Sequence, residues 1–200
     1  NNIDIEIAII EKANEIGSHS LSGAVVDPIT LKELFPELRP ESFPFEAPVN
    51  AEKMYFLHKS GAKFGFPYIP KGMSHHGCYI ASLGKLTRWL GQKCEEEGID
   101  IFCPFSGDEI LYDENNSVAG IRTGDRGVDK NGAKKPNFEQ GVDIKAKVTV
   151  FGEGTRGSLT KQLISKFNLM KDSNPQVWAV GVKELWKVPE GTIEPGYVAH

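Results

Sequence analysis

The sequence predicts an α/β fold from three segments. Residues 3–10 alternate and then become continuously apolar, as a strand does on entering a sheet that is covered on both faces. A helix predicted over residues 79–97 leads into a strand over residues 99–105. A further buried strand over residues 146–151 turns at glycines into a helix over residues 158–167. Strands and helices that alternate in this way are typical of α/β proteins.

The composition is that of an ordinary globular protein. The chain has 200 residues, of which 40% are hydrophobic and 25% charged. The formal net charge of −4, without a basic stripe, argues against a nucleic-acid surface. The three cysteines share no CxxC spacing, which favours a reducing, intracellular setting over a metal knuckle or a disulfide framework. No apolar run approaches the roughly 20 residues of a membrane-spanning helix, and no targeting peptide is visible.

The first half of the chain contains short elements around the first strand. Because that strand has no preceding partner, we expect the true N-terminus to lie upstream of Asn1. An early proline favours a short helix over residues 28–34. Four prolines predict a non-helical connector over residues 35–50. Alternating aromatic and basic residues around Ser60-Gly61 predict a hairpin within residues 54–70.

The second half continues with short strands and turns. Residues 110–112 and 118–122 flank a polar turn and predict two strands. Residues 124–141 are rich in Gly, Lys and Asp and predict an exposed excursion. Residues 177–188 are β-like, with two tryptophans on one face.

The first candidate site residue is Glu11, which closes the first strand and is followed by Lys12. In nucleotide-binding βαβ units a carboxylate at this place accepts hydrogen bonds from both hydroxyls of the adenosine ribose. A solvated charge at a strand end would look the same in sequence. The glycine-rich loop that should precede such a carboxylate by one strand and one helix is absent from this chain.

Two glycine-rich segments are further candidates. Residues 17–24 contain two glycines and three serines, which let backbone approach a flat ligand but equally describe a loop without one. His19 lies within this loop without an apparent partner carboxylate, so we do not assign it as a general base. Residues 148–158 run from a strand through a glycine turn into a helix, where free N–H groups suit a phosphate. An ordinary strand-turn-helix corner is the alternative there.

Several segments together resemble one family, the electron-transfer flavoprotein–ubiquinone oxidoreductases. They follow the family's order and spacing and cover nearly the whole chain. These segments are residues 10–13, 17–24, 76–80, 83–90, 152–163 and 181–186.

The resemblance implies a fold and a set of cofactors. The family binds FAD, one 4Fe–4S cluster and ubiquinone, and lies on the membrane as a peripheral protein. The implied fold is a partial glutathione-reductase-type FAD-binding domain, interrupted by part of a β-sheet quinone-binding domain. Residues 1–53 and 77–170 would form the FAD domain, residues 54–76 a membrane-proximal hairpin on the quinone side, and residues 171–200 the start of the quinone domain. The dinucleotide loop would precede this chain, and the quinone-lining glycines and four cluster cysteines would follow it.

The implied activity is electron transfer from reduced electron-transfer flavoprotein, through flavin and cluster, to ubiquinone. No side chain of this chain need act as a catalytic acid or base, and the 200 residues alone should be inactive. The implied location is the matrix face of the mitochondrial inner membrane or the cytoplasmic face of a bacterial plasma membrane. A geranylgeranyl-reductase-like FAD oxidoreductase, which reduces an alkene, is one alternative. A non-catalytic membrane-binding fragment is another, from a different class.

The resemblance also implies which residues contact FAD. Glu11, with Lys12 beside it, matches the ribose-binding acid. The loop beside the flavin and the turn near the adenosine and pyrophosphate supply the others. These are Gly17, Ser18, His19, Ser22 and Gly23 in the loop, and Glu153 and Gly154 in the turn.

Apolar residues framed by lysines in and after the predicted hairpin suit a bilayer interface. A core hairpin with outward-pointing lysines is the alternative, and a membrane-bound family favours the anchor. The predicted membrane residues are Phe56, Leu57, Phe64, Phe66, Tyr68 and Ile69. The adjacent pair His75-His76 could suggest a metal, but no third ligand has suitable spacing, so we interpret the pair as structural.

Overall fold

The computed structural model describes residues 5–21 and 23–200 of a mixed α/β chain. The chain divides into two compact units. The first unit joins the N-terminal segment, up to Glu15, with Ile99–Val180, and the second joins Ile16–Gly98 with Gly181–His200. The domain bounds that the family resemblance implies remain a prediction.

Most strands are short and the helices are few. The α-helices are α1 (Ile29–Leu34), α2 (Leu83–Glu96) and α3 (Leu159–Phe167), and 3-10 turns span Pro40–Ser42 and Lys71–Met73. The strands are β1 (Ala8–Ile10), β2 (Ala24–Val26), β3 (Phe45–Pro48), β4 (Ala51–Lys53), β5 (Tyr55–Leu57), β6 (Lys63–Gly65), β7 (Tyr79–Ala81), β8 (Asp100–Phe102), β9 (Gly107–Tyr112), β10 (Val118–Thr123), β11 (Arg126–Val128), β12 (Lys134–Glu139), β13 (Asp143–Lys145) and β14 (Tyr197–Ala199).

The first unit combines a parallel strand pair with an antiparallel sheet. β1 pairs in parallel with β8, in the register Ile9 opposite Ile101. β9, β10 and β13 form an antiparallel sheet with β10 in the centre, and β11 pairs with β12 as a separate hairpin. The core of this unit is formed by Ile110, Ile121 and Leu159, so α3 packs its first residue against the sheet.

The second unit holds three small sheets. β2, β7 and β3 are antiparallel with β7 in the centre, β5 and β6 form a hairpin, and β4 pairs in parallel with β14. The core consists of Leu31, Phe43 and Leu86. Trp89 of α2 seals it with edge-on contacts to Phe35 and Phe43, at ring-centroid distances of 5.1 and 5.6 Å.

Several predicted elements are confirmed. The helices predicted over residues 28–34 and 158–167 agree with α1 and α3 to within a residue or two. The two strands about the polar turn are β9 and β10, and Asp113 closes the turn by accepting hydrogen bonds from the N–H groups of Asn115 and Ser117. The predicted hairpin is formed by β5 and β6.

Other predicted bounds need correction. The helix predicted from residue 79 begins at Leu83, because residues 79–81 pair as β7 and Ser82 caps the helix by accepting from the N–H of Lys85. The connector predicted over residues 35–50 ends in β3, and the predicted excursion over residues 124–141 is largely the β11–β12 hairpin. The first strand, predicted over residues 3–10, forms only as β1 at Ala8–Ile10, and Ile5, Ile7 and Ile9 are exposed rather than covered. Residues 3 and 4 of that prediction lie outside the described residues.

Two predicted strands do not form. Residues 146–151 are irregular, with Val148 and Val150 exposed at 78% and 88%. Residues 177–188 are also irregular, and Val180 is 97% exposed. A strand requires a neighbour for its backbone groups, and beyond the N–H of Ala146, which donates to the carbonyl of Ala119 at 3.0 Å, neither segment pairs with a strand within the described parts of the chain. The apolar pattern was present in both segments, but the pairing partner was not.

No helix among residues 5–21 and 23–200 combines the length and the apolar character that crossing a bilayer requires.

Candidate functional site

Glu11 lies directly beyond β1, and its backbone extends the parallel pairing by one residue. Its N–H donates to the carbonyl of Phe102 at 2.9 Å, and its carbonyl accepts from the N–H of Phe105 at 2.8 Å. The half-buried carboxylate accepts from the N–H of Ala13 through Oε1 at 2.6 Å. Its Oε2 has no hydrogen bond within the described residues, so the carboxylate is held in place and keeps one oxygen for another donor. Lys12, next in the chain, is exposed.

The Glu153 carboxylate caps the N-terminus of α3. Oε1 accepts from the N–H groups of Ser158 and Leu159 at 3.1 and 3.0 Å. Oε2 accepts from the N–H and the hydroxyl of Thr160 at 2.7 and 2.6 Å. The prediction that free N–H groups wait there for a phosphate is therefore wrong, since Glu153 itself occupies three of them.

The environment of Glu153 shifts its pKa. Burial alone raises the pKa of this carboxyl, but the hydrogen bonds from Thr160, Leu159 and Ser158 outweigh burial and lower the pKa overall. The carboxylate is thus held ionised at the positive end of the α3 dipole, where a negative charge is stabilising.

The turn after Glu153 is open on one side. Gly154 has φ +74°, and a Cβ added there would meet no atom within 4 Å. Nearby in sequence, Thr149 has a buried hydroxyl oxygen without a hydrogen-bond partner among the described residues. A buried hydroxyl without a partner is costly, so it points to a polar group that is missing from its surroundings.

The glycine-rich loop of the second unit packs closely against α2. Gly17 has φ +80°, and a Cβ there would come within 2.4 Å of the carbonyl oxygen of Gly84. A Cβ on Gly91 would come within 2.6 Å of Ile16. Sequence reasoning missed Gly84 and Gly91, although glycines inside a helical pattern indicate close backbone approach.

Other loop residues remain exposed. Ser18, His19 and Gly23 face solvent, and Gly23 has φ +80° with no atom within 4 Å of an added Cβ. Lys183 donates to the carbonyl of Gly23 at 2.6 Å. Ser22 lies outside the described residues. The loop is therefore packed against α2 at Gly17, while Ser18 and His19 remain exposed to solvent.

The hairpin exposes its apolar side chains. Phe56 and Phe64 lie directly opposite each other across β5 and β6, and Phe66, two residues further on, contacts Phe64 at a ring-centroid distance of 5.8 Å. The Tyr55 hydroxyl bonds to that of Tyr197 at 2.9 Å and anchors the base of the hairpin. Exposed fractions are 60% for Phe56, 73% for Leu57, 64% for Phe64, 45% for Phe66 and 70% for Tyr68, while Ile69 is half-buried.

Glu52, His75 and His200 form a cluster that the sequence did not suggest. Glu52 Oε1 lies 2.9 Å from His75 Nδ1 and 3.5 Å from His200 Nε2. Sequence spacing shows no third ligand for His75, but the fold brings Glu52 and His200 to it from distant segments. Burial raises the pKa of Glu52, but hydrogen bonds from His75, His200 and Ser74 lower it overall.

A strand-end carboxylate and glycine loops on a mixed α/β fold are features of nucleotide-binding proteins. No protein-family model matches the chain. The chain is 44% identical over 203 residues to a probable electron transfer flavoprotein-ubiquinone oxidoreductase of Acinetobacter baylyi. It is 44% identical over 201 residues to the mitochondrial enzyme of that name from Arabidopsis thaliana, and 41% over 198 residues to that of Mus musculus. The family resemblance is thereby confirmed over the whole length of the chain.

The match covers only part of each relative. These alignments include 98% to 100% of this chain and 31% to 36% of the relatives, so the chain spans about a third of their length. A solved geranylgeranyl bacteriochlorophyll reductase-like protein from Thermoplasma acidophilum has a TM-score of 0.44 at 18% identity, over 71% of this chain and 31% of that one. That likeness is too low to support an inference.

Proposed function

We propose that this chain is part of an FAD-dependent oxidoreductase that passes electrons from reduced electron-transfer flavoprotein to ubiquinone. The observation that carries the proposal is the 40–44% identity to enzymes of that name across the whole chain. The proposed fold is a partial glutathione-reductase-type FAD domain interrupted by part of a quinone domain. The 4Fe–4S cluster and ubiquinone would be bound through residues outside these 200.

Three residues of the first unit have surroundings that suit contact with FAD. Glu11 is held by Ala13 and keeps one carboxylate oxygen for a ribose hydroxyl. The buried hydroxyl of Thr149 lacks a partner, and the backbone at Gly154 is open to close approach. We assign Glu153 an indirect role, in which capping α3 fixes the Gly154 turn near the adenosine and pyrophosphate. Bound FAD would supply a ring that accepts and passes on electrons.

The loop over residues 17–24 is proposed to lie beside the flavin, as the family resemblance implies. Gly17 fixes the loop on α2, and Ser18, His19, Ser22 and Gly23 follow it. Ser18, His19 and Gly23 are exposed, so they are open to a ligand. None of these residues is assigned proton transfer.

The hairpin is the proposed membrane contact. Phe56, Phe64 and Phe66 share one exposed face, and an exposed apolar cluster on a folded protein marks a binding surface or an aggregation hazard. Lysines 59 and 63 near the turn suit anionic headgroups, each contributing on the order of 1 kcal/mol close to the surface. The named relatives include mitochondrial and bacterial proteins, so we propose the matrix face of the inner membrane or the cytoplasmic face of a plasma membrane.

The decisive experiment uses the full protein that contains this chain. We expect flavin absorbance in the purified protein and oxidation of reduced electron-transfer flavoprotein upon addition of a soluble ubiquinone analogue. Flavin without this activity but with reduction of a polyprenyl alkene would favour the geranylgeranyl-reductase-like alternative. Absence of flavin after reconstitution would overturn the proposal and leave the membrane-binding alternative.

Membrane contact is tested by liposome flotation of the full protein with Phe64→Ser and Phe66→Ser combined. We expect flotation to fall while the melting temperature and flavin content hold. Leu185→Ser with Val182→Ser is the matched control, because these side chains are 92% and 86% exposed outside the hairpin. Intact flotation with a lowered melting temperature would show that the hairpin belongs to the core.

A further inference from the structure

A group of potential metal ligands lies in the second unit and includes none of the residues proposed to bind FAD. Glu52 is on β4, His75 follows the 3-10 turn Lys71–Met73, and His200 follows β14. One donor atom from each lies within 4.8 Å of the other two. The two imidazole rings stack in parallel, with centroids 5.3 Å apart and planes 7° from parallel. Both rings therefore present a nitrogen to the same carboxylate oxygen.

Backbone pairing fixes the positions of these ligands. β4 and β14 run in parallel with Ala199 opposite Lys53, and the N–H of His200 donates to the carbonyl of Lys53 at 2.8 Å. Glu52 Oε2 also accepts from the Ser74 hydroxyl at 3.2 Å. The side chains of Glu52 and His200 are only 11% and 13% exposed, and that of His75 is 34% exposed. Glu52 and His200 are thus largely shielded from solvent, and backbone pairing fixes both of them.

We propose that Glu52, His75 and His200 bind a divalent transition metal, for which Zn²⁺ is the ion that the ligands favour. Two imidazoles and one carboxylate are a known zinc ligand set. Zinc bonds of about 2.1 Å in a tetrahedron place donor atoms about 3.4 Å apart. The separations of 2.9 and 3.5 Å between Glu52 Oε1 and the two ring nitrogens are close to that value.

The surroundings of the group suit an ion. Three protein ligands leave a fourth position for water. Of the three, Glu52 also lines a surface pocket of about 380 Å³. Ser74 and the N–H of His75 hold the carboxylate in its orientation, as outer partners of metal ligands do. His75 binds through Nδ1 and His200 through Nε2.

The ion would have a structural role. Its ligands come from three segments, of which residues 52 and 200 are 148 positions apart. Binding would join the β4–β14 pair to the segment that follows the Lys71–Met73 turn. Because the site forms only in the folded chain, the metal should raise the melting temperature.

The test is a Zn²⁺ titration of the full protein after treatment with a chelator and dialysis, with metal content measured against protein. We expect one more tightly bound zinc than in His75→Ala or His200→Ala, and a melting temperature raised by about 5 °C or more at saturating Zn²⁺. The variants should lose affinity at least tenfold. His76→Ala is the matched control, since this neighbouring histidine is outside the group, and it should retain the zinc.

A second measurement guards against variants that fail to fold. Co²⁺ added to the chelator-treated wild type should produce the visible ligand-field bands of a four-coordinate site, and Zn²⁺ should abolish them. The proposal is overturned if the wild type shows no such bands, or if folded His75→Ala and His200→Ala bind zinc as well as the wild type does.

Discussion

Glu11 follows β1, which pairs in parallel with β8, whereas Glu153 follows residues 147–151, which pair with no strand among the described residues. Glu11 uses one carboxylate oxygen locally, on the N–H of Ala13. Glu153 uses both of its oxygens on the start of α3. Two acids that follow apolar segments thus have different roles. The role of each depends on whether the N-terminus of a helix lies within hydrogen-bond distance of its carboxylate.

The largest expected effect is on FAD affinity, at Glu11, because its carboxylate keeps one oxygen for another donor. Glu11→Ala in the full protein should weaken FAD by about 1–3 kcal/mol, because the acceptor for the ribose hydroxyls is lost. Flavin retained after dialysis measures this, and Glu114→Ala, an exposed acid in the polar turn, is the control. If both variants retain flavin equally, Glu11 does not bind the ribose, and it does not differ from Glu153 in this respect.

The next effect concerns the turn that Glu153 supports. Gly154→Ala should cost roughly 1–2 kcal/mol of folding stability, since a Cβ is disfavoured at φ +74°. Gly152→Ala is the matched control, because its added Cβ also meets nothing within 4 Å and its φ is not in the left-handed region. Chemical denaturation distinguishes them, and equal midpoints would show that the turn is not constrained.

Removing the cap itself should have a smaller effect. Glu153→Ala should lower stability by about 1 kcal/mol at neutral pH, as other lost helix caps do. Because the folded-state pKa of Glu153 is lowered below its ordinary value of 4.5, the stabilisation is full above that pH. It is lost as the pH falls through the folded-state pKa, so the wild type and the variant should converge in acid.

Denaturation curves from neutral to acidic pH test this dependence, and a constant difference across the range would contradict it. Flavin content at neutral pH sharpens the comparison. If Glu153→Ala loses as much flavin as Glu11→Ala while remaining folded, Glu153 contacts the cofactor directly and its role is not indirect.

The smallest effect is at the partner of the cap. Thr160→Val removes the hydroxyl that donates to Glu153 Oε2 but leaves the N–H of residue 160 in place. We expect a loss of about 0.5 kcal/mol, the lower end for one hydrogen bond, because this bond is exposed to solvent. Thermal melting beside Thr155→Val, in the turn before α3, measures the difference. A melting temperature unchanged from wild type would show that the backbone donors alone hold the carboxylate.

The sequence by itself determined those helices, turns and hairpins whose signals lie within the element or next to it. Helical spacing located most of α2, the glycine turn located α3, and the Asp113 turn located β9 and β10. The alternating aromatic residues predicted the hairpin, and the ordered motifs identified the family. Each of these signals lies within a few residues of the element it specifies, so no tertiary information was needed.

Only the tertiary structure decided the rest. Residues 146–151 and 177–188 have the apolar pattern of strands, but a strand forms only against a neighbour, and beyond Ala146 none is present for them in the described chain. The capping of α3 by Glu153 depends on how the turn folds back, which spacing does not reveal. The Glu52, His75 and His200 group depends on the parallel pairing of β4 with β14, which brings together residues 148 positions apart. Contacts between residues so far apart in sequence depend on how the whole unit packs, and a local sequence pattern does not contain that information.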